Sequence, residues 1–318
     1  MARTASSVAV SDARAAGVSD RSTAANLLSS LRPRQWTKNL LVFAGLLFGA
    51  ADPANGRLLG VGPIVQAVEA FAIFCALSGI VYLVNDITDR QSDRLHPLKA
   101  RRPIASGALP VSTAIAFAGV LGALALGAAA TLGGRFLAVS AAYLGLQLLY
   151  SGPLKHVVIL DVLTISIGFV LRAVAGAFAV NVDISHWLLV CTILLALFIS
   201  LAKRRHELVL LADGAPTHRP ILGEYSPYLL DQMIAVVTAS TLIAYIFYTI
   251  SPETELKFGT HWLGLTIPFP IYGIFRYLYL VHRRDGGGSP TDMLIMDRGL
   301  LLCVVFWAAA VALILYTP

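Results

Sequence analysis

Long apolar runs recur from one end of this chain to the other, and they leave it one solvent in which to fold. Nine can be marked: Asn39–Ala51, Ile64–Val84, Val111–Leu132, Phe136–Tyr150, Val157–Val180, Trp187–Ala202, Tyr228–Ile250, Trp262–Leu280 and Gly299–Tyr316. A helix crosses a hydrocarbon core with about 20 apolar residues, and most of these runs approach that length. The first and fourth are short, and the first is expected to begin as an interfacial helix near Leu31. Inside lipid every backbone polar group must be satisfied within the protein, which helices achieve segment by segment. The expected fold is therefore all-α, a polytopic membrane bundle of nine transmembrane helices. A composition of 57% hydrophobic and 13% charged residues, with a mean hydropathy of +0.74, excludes a soluble globular domain of this size. Residues 1–30 are rich in Ala, Ser and Thr without a signal-type apolar run, and read as a disordered cytoplasmic tail. Residues 31–318 then form one transmembrane domain.

The basic residues orient the bundle. With the N-terminus in the cytoplasm, nineteen of the 24 lysines and arginines fall in the stretch from the tail through Lys38, in Arg90–Arg102, at Lys155, in Lys203–Arg219 and in Arg283–Arg298. Arg57, Arg135 and Lys257 fall outside, and Arg172 and Arg276 within spans. This is the asymmetry of an inner or plasma membrane protein with its functional loops facing the cytoplasm. The net charge of +6 belongs to those loops, which suit anionic headgroups and do not imply a nucleic-acid partner. Cys75, Cys191 and Cys303 all lie in apolar runs without the spacing of a metal or redox site, as expected of buried thiols.

Chemistry enters directly after the second run, in YLVNDITDRQSDRLHPLKARRPIASG. If the helix continues past the membrane, Asn85, Asp86, Asp89 and Asp93 share one face through offsets of three, four and seven. Like charges stacked this way repel unless a cation is shared among them, and an all-oxygen set without His or Cys suits magnesium. Pro97 breaks the helix, and Lys99, Arg101 and Arg102 follow in a short segment fit for phosphate. The bland alternative is a solvated charged helix end. Arg90 and Arg94 fit that description, and His96 fits a loop hydrogen-bonding role.

NDxxDxxxD after the second span resembles the UbiA superfamily of intramembrane prenyltransferases. Asp93–Gly107, together with RPRQWTKN at Arg32–Asn39, is similar to its decaprenyl-phosphate phosphoribosyltransferase branch, and the similarity runs from about Arg32 to Leu300. Ordinary members of that superfamily carry a second aspartate-rich motif between the fourth and fifth spans, so that two motifs clamp a prenyl diphosphate between magnesium ions. Here that stretch is YSGPLKHVVILDV, with Tyr150, Lys155 and the single acid Asp161. Fewer carboxylates and more cations suit a donor that carries extra phosphate. The resemblance implies a UbiA-like transferase that moves 5-phosphoribosyl from phosphoribosyl diphosphate (PRPP) to a polyprenyl monophosphate, with Mg2+ as cofactor. Asn85, Asp86, Asp89 and Asp93 would be the metal set, and Asp86, Asp89 and Asp93 the catalytic carboxylates. Lys38, Lys99, Arg102, Tyr150, Lys155, Asp161, Arg172, Lys203 and Arg204 would hold phosphate. Oligomeric state is left open, a homo-oligomer included.

Some assignments have two readings. Arg172 lies eleven residues beyond Asp161 on the same face of the fifth helix, and either binds the lipid phosphate or is neutralised by Asp161 or by helix carbonyls. Lys203-Arg204-Arg205 either serves a phosphate donor or expresses the positive-inside bias, and Lys38 and Arg34 share that choice. Arg276 reads as a snorkelling side chain, and Asp285–Arg298 as a flexible, glycine-containing cap. An aromatic prenyltransferase would share the first motif but require a carboxylate-rich second one. A lipid transporter or binding protein would place polar sites at the midplane rather than at one face.

Overall fold

The structure is a computed structural model that describes residues 22–50, 60–95, 99–183, 185–211, 220–283, 293 and 296–316. Every regular element among them is helical, with no strand. Helix α1 (Thr23–Ser30) opens with Ser22, whose Oγ accepts the Ala25 N–H, so structure begins before the expected end of the tail. Residues 1–21 lie outside the described set. A 3₁₀ run, Pro33–Phe43, leads into α2 (Ala44–Ala50), and together they cover the first apolar segment. Then come α3 (Val61–Thr88), α4 (Arg90–Leu95), α5 (Pro103–Ser106), α6 (Val111–Thr131), α7 (Gly134–Ser151) and α8 (Leu160–Ala179). The chain ends through α9 (His186–Leu211), α10 (Pro227–Ile250), α11 (Pro252–Phe258), α12 (Pro268–Arg283) and α13 (Arg298–Tyr316). Each of the nine apolar segments coincides with helix. Among the described residues, six helices are both long and apolar enough to cross a membrane: α3, α6, α8, α10, α12 with the turn before it, and α13. The protein is a multi-pass membrane protein.

Lipid solvates an apolar surface as readily as the interior does, so packing rather than hydrophobicity holds such helices together. Helix α3 is the most enclosed of the six, and α13 turns Leu302, Val305, Phe306 and Leu313 outward. One core gathers Phe74 and Leu77 of α3 with Phe136 and Tyr143 of α7, the Phe74 and Tyr143 rings 5.1 Å apart. A second joins Phe198 of α9 to Tyr277 of α12, ring centroids 5.0 Å apart. Between them α8 carries Ala173, Ala175, Gly176, Ala177 and Ala179. A Cβ on Gly176 would overlap the carbonyl of Val42, and one on Gly45 would overlap the backbone of Gly176 and Ala177. Only glycine at both places lets the first segment lie directly on α8. Cys75 and Cys303 are buried thiols as expected, while Cys191 is half-buried.

Candidate active site

The carboxylates and cations selected from sequence meet at one end of the bundle, where α3 runs into α4. The helix does not continue unbroken: Thr88 ends α3, Asp89 caps it at φ −89° and ψ 5°, and α4 restarts at Arg90. That break separates the expected single face into two. Asp86 and Asp93, each 2% exposed, turn inward and converge on one atom, Arg102 Nη1, at 3.1 and 2.6 Å. Arg32 also donates to Asp86, and Lys99 Nζ stands 4.0 Å from Asp93. Asp89 instead points across to the connection between α7 and α8, where Lys155 Nζ donates to it at 2.7 Å. Asn85 is half-buried, and its carbonyl accepts from Asp89 N and Thr88 Oγ1. Gly107, at φ 88°, closes α5 in a conformation that glycine adopts freely, and Leu109 N then returns to the Pro103 carbonyl at 2.9 Å. Arg94 is exposed, and its Nε donates to Ala105 O at 2.9 Å and ties α4 to α5, whereas Arg90 Nε is buried with no hydrogen-bond partner among the described residues. His96 and Pro97 lie outside the described residues.

Among the described residues, no group of three or more His, Cys, Asp or Glu side chains is drawn together as a metal site. The donor set nevertheless fits a divalent cation. Two buried carboxylates must be compensated, and a guanidinium nitrogen now bridges them as a cation would. Asp86, Asp93, Asp89 between them and Asn85 just before are hard oxygen donors of the type magnesium takes.

The second motif is built differently. Asp161, in the first turn of α8, is fully buried, and both its oxygens are used: Arg204 Nε donates to Oδ2 at 2.9 Å and Tyr225 OH to Oδ1 at 2.7 Å. The same Tyr225 oxygen accepts the Ile159 N–H at 2.8 Å. Ile159 sits at φ 69°, a left-handed conformation that a β-branched residue adopts only under constraint, and the tyrosine supplies it. Burial and the hydrogen bond to Asp161 hold the Tyr225 phenol up to about 12. Arg204 Nη1 donates to Glu207 at 2.9 Å and Nη2 approaches Tyr150 OH at 3.5 Å. Lys203 Nζ lies 3.9 Å from Glu207. Asp161 and Arg204, expected among the phosphate-holding residues, are thus first of all partners of each other.

Arg172 lies deeper, three turns down α8, about 16 Å from Asp161 and beyond the reach of its side chain. Neutralisation by Asp161 is therefore excluded. Its Nε donates to Asn39 Oδ1 at 2.8 Å, Nη1 to Gly168 O at 2.9 Å and Nη2 to Tyr143 OH at 2.7 Å. All three acceptors are neutral, and the Tyr143 and Phe169 rings face the guanidinium at 4.8 and 5.1 Å. Asn39 is fixed in turn by Ser78 Oγ at 3.1 Å and Cys75 Sγ at 3.4 Å. Lys38, one residue before the first apolar run, joins this region. Burial, then the like charges of Lys203, Arg172 and Arg32, push its ammonium down to about 8. Like charges this close repel one another, and an anion placed among them would relieve the repulsion. Arg276 is not snorkelling alone: it clasps Asp297 at 2.8 and 3.1 Å. Residues 285–292, 294 and 295 of the expected glycine-containing cap lie outside the described set.

Reasoning from sequence missed Tyr225, Tyr143, Asn39 and Arg32 as site residues. Arg32 and Asn39 begin and end the RPRQWTKN string and were legible as part of it. The two tyrosines carry no local signal, because their partners are 64 and 29 residues away.

Comparison with known proteins gives a consistent result. Residues 39–296 match the model of the UbiA prenyltransferase family. The decaprenyl-phosphate phosphoribosyltransferase of Corynebacterium glutamicum is 32% identical over 299 residues, covering 93% of this chain and 88% of the relative. The protein of the same name from Mycobacterium tuberculosis is 33% identical over 290 residues, covering 90% of this chain and 93% of its own. Among solved structures, a UbiA homolog from Archaeoglobus fulgidus bound to GPP and Mg2+ shares the fold with a TM-score of 0.67 at 20% identity, over 91% of this chain and 99% of that one.

Proposed function

The chain belongs to the UbiA prenyltransferase family, a family of enzymes, and from that premise we propose that it transfers a 5-phosphoribosyl group from PRPP to a polyprenyl monophosphate. The observation that carries this choice is Asp161, whose two oxygens are occupied by Arg204 and Tyr225. A donor clamped between two metal-bearing carboxylate motifs would need several acids in the second, and YSGPLKHVVILDV has this one. Around it stand Lys155, Lys203 and Arg204, and deeper in lie Lys38 and Arg172, cations suited to a donor with a separate 5-phosphate and to a lipid phosphate. Relatives at 32–33% identity bear the name of this activity.

Asn85, Asp86, Asp89 and Asp93 would hold magnesium, and a UbiA homolog of the same fold from A. fulgidus was solved bound to GPP and Mg2+. When bound there, the metal supplies charge neutralisation to the departing diphosphate. The remaining steps belong to the chain. Lys99, Arg102 and Lys155 bind the donor's phosphates, and Lys38 and Arg172 orient the acceptor phosphate toward the ribose. An oxygen of that phosphate forms a bond to ribose C1 as the bond from C1 to diphosphate breaks. The acceptor oxygen is already anionic near neutral pH, so no general base is required, and electrostatic stabilisation of the leaving group is the main task. Nine spans with the N-terminus in the cytoplasm put this face where a water-soluble donor is found, and the isoprenoid tail enters laterally from the bilayer.

Membranes containing the protein, supplied with labelled PRPP, magnesium and polyprenyl phosphate, should yield a labelled phosphoribosyl lipid on extraction. No labelled lipid there, with label transferred instead from a prenyl diphosphate to an aromatic acid, would reassign the enzyme to aromatic prenylation.

A further inference from the structure

Arg32 has a place in the site that its position before a proline makes hard to reach. The residue preceding proline is normally extended, yet Arg32 stands at φ 52° and ψ 64° immediately before Pro33. Strain of this kind persists only where the surroundings impose it. Several contacts do. Leu31 packs where a Cβ on Gly79 would lie, and Trp36 Nε1 donates to the Leu31 carbonyl at 3.3 Å. The Arg32 guanidinium lies 4.8 Å from the centre of the Tyr82 ring and donates to Asp86. Its side chain is 28% exposed against 3% for the Asp86 carboxylate, so the cation has access to solvent that its partner lacks.

Charge decides what that contact is for. Asp86 and Asp93 carry two negative charges, and Arg32 and Arg102 set two positive charges directly on them. With Lys99 Nζ 4.0 Å from Asp93 as a third cation, the two carboxylates are fully compensated before any metal arrives. A divalent cation added alone must share its carboxylates with two guanidinium groups. A metal that arrives with a diphosphate brings enough negative charge to draw both arginines off the aspartates and onto phosphate oxygens, where charge-assisted bonds replace the ones they leave. We infer that Arg32, with Arg102, is an exchangeable counter-cation: it occupies Asp86 in the empty site and passes to the donor diphosphate when metal and donor enter together. Arg32 thereby becomes a donor-binding residue, and the metal binds weakly until the diphosphate is present. The inference rests on Asp86 being a metal ligand, and the test separates the two.

Mn2+ binding to the purified full-length protein, followed by the electron paramagnetic resonance of free Mn2+, gives a readout independent of turnover. Arg32→Gln should bind Mn2+ alone about tenfold more tightly than wild type, since a fixed cation beside the metal is gone. The same variant should show a raised KM for PRPP, with Arg32→Lys intermediate in both. Unchanged or weaker Mn2+ binding in Arg32→Gln and Arg32→Lys, when Asp86→Asn abolishes it, overturns the exchange alone. Wild-type Mn2+ binding in Asp86→Asn overturns the metal assignment and the exchange with it. Should Arg32→Gln not fold, Arg32→Lys carries the test through the sign of the metal-affinity change.

Discussion

Replacing Asp161 with alanine tests whether the second motif is a structural clamp or a substrate contact. The carboxylate is fully buried, and its loss strands Arg204 Nε and the Tyr225 hydroxyl, which now donate to it at 2.9 and 2.7 Å. Breaking one side of a buried ion pair costs about 3–5 kcal/mol, mostly through the charge left behind. Here Arg204 keeps Glu207 at 2.9 Å, which sets the expected loss at the lower end, about 3 kcal/mol, or roughly a hundredfold in the folding equilibrium. Removing both charges should undo most of it: Asp161→Leu combined with Arg204→Met leaves no stranded ion, and such replacements are often neutral. Reversible unfolding in mixed detergent micelles with increasing dodecyl sulfate, followed by circular dichroism, measures both variants against wild type. An Asp161→Ala protein as stable as wild type but inactive would refute the clamp and return the carboxylate to the substrate.

Asp89→Ala should abolish turnover while leaving the fold intact, since its side chain is 40% exposed and its one ion pair is with Lys155; retained activity would remove it from the metal shell. Lys155→Ala should raise the KM for PRPP severalfold, because it removes the cation that joins the first loop to the second, and an unchanged KM in steady-state assays would contradict this. Lys38, held down to about 8, should impose a fall in kcat/KM as pH rises through that value, with the limb in kcat shifted upward because a bound anion restores the proton. Stability moves the other way: the unfolded chain keeps the proton up to its ordinary 10.5 while the folded one has released it, so stability rises between about 8 and 10.5. A Lys38→Met variant with the same alkaline limb would clear Lys38 of both effects.

Hydrophobic patterning told where helix must be, but not where it stops. The sixth apolar run ends at Ala202, yet α9 continues to Leu211, because Lys203, Arg204 and Glu207 satisfy one another at helical spacing beyond the apolar run. The aspartate motif was legible as a place where charge converges from its residue types, whereas the pairing of Asp89 with Lys155 was not: it depends on the break at Thr88, which no proline or glycine announces. The pairing of Asp161 with Arg204 rather than Arg172 follows from depth. A helical wheel shows two residues on one face and says nothing about the three turns between them. Two partners of Arg172, Asn39 and Tyr143, come from other segments, and only the packed bundle brings them within 3 Å, while Gly168 O lies one turn back on α8.

The contact between the first segment and α8 is defined by atoms that are missing. Gly176 lies one turn from Arg172, and Val42 lies three residues from Asn39, the acceptor of that arginine. A single methyl group at position 176 would therefore act as a wedge, pushing the first segment away and taking Asn39 and Lys38 with it. Such a variant would display the kinetics of a damaged active site although no functional group had been touched, and a screen that scored side-chain chemistry alone would overlook it.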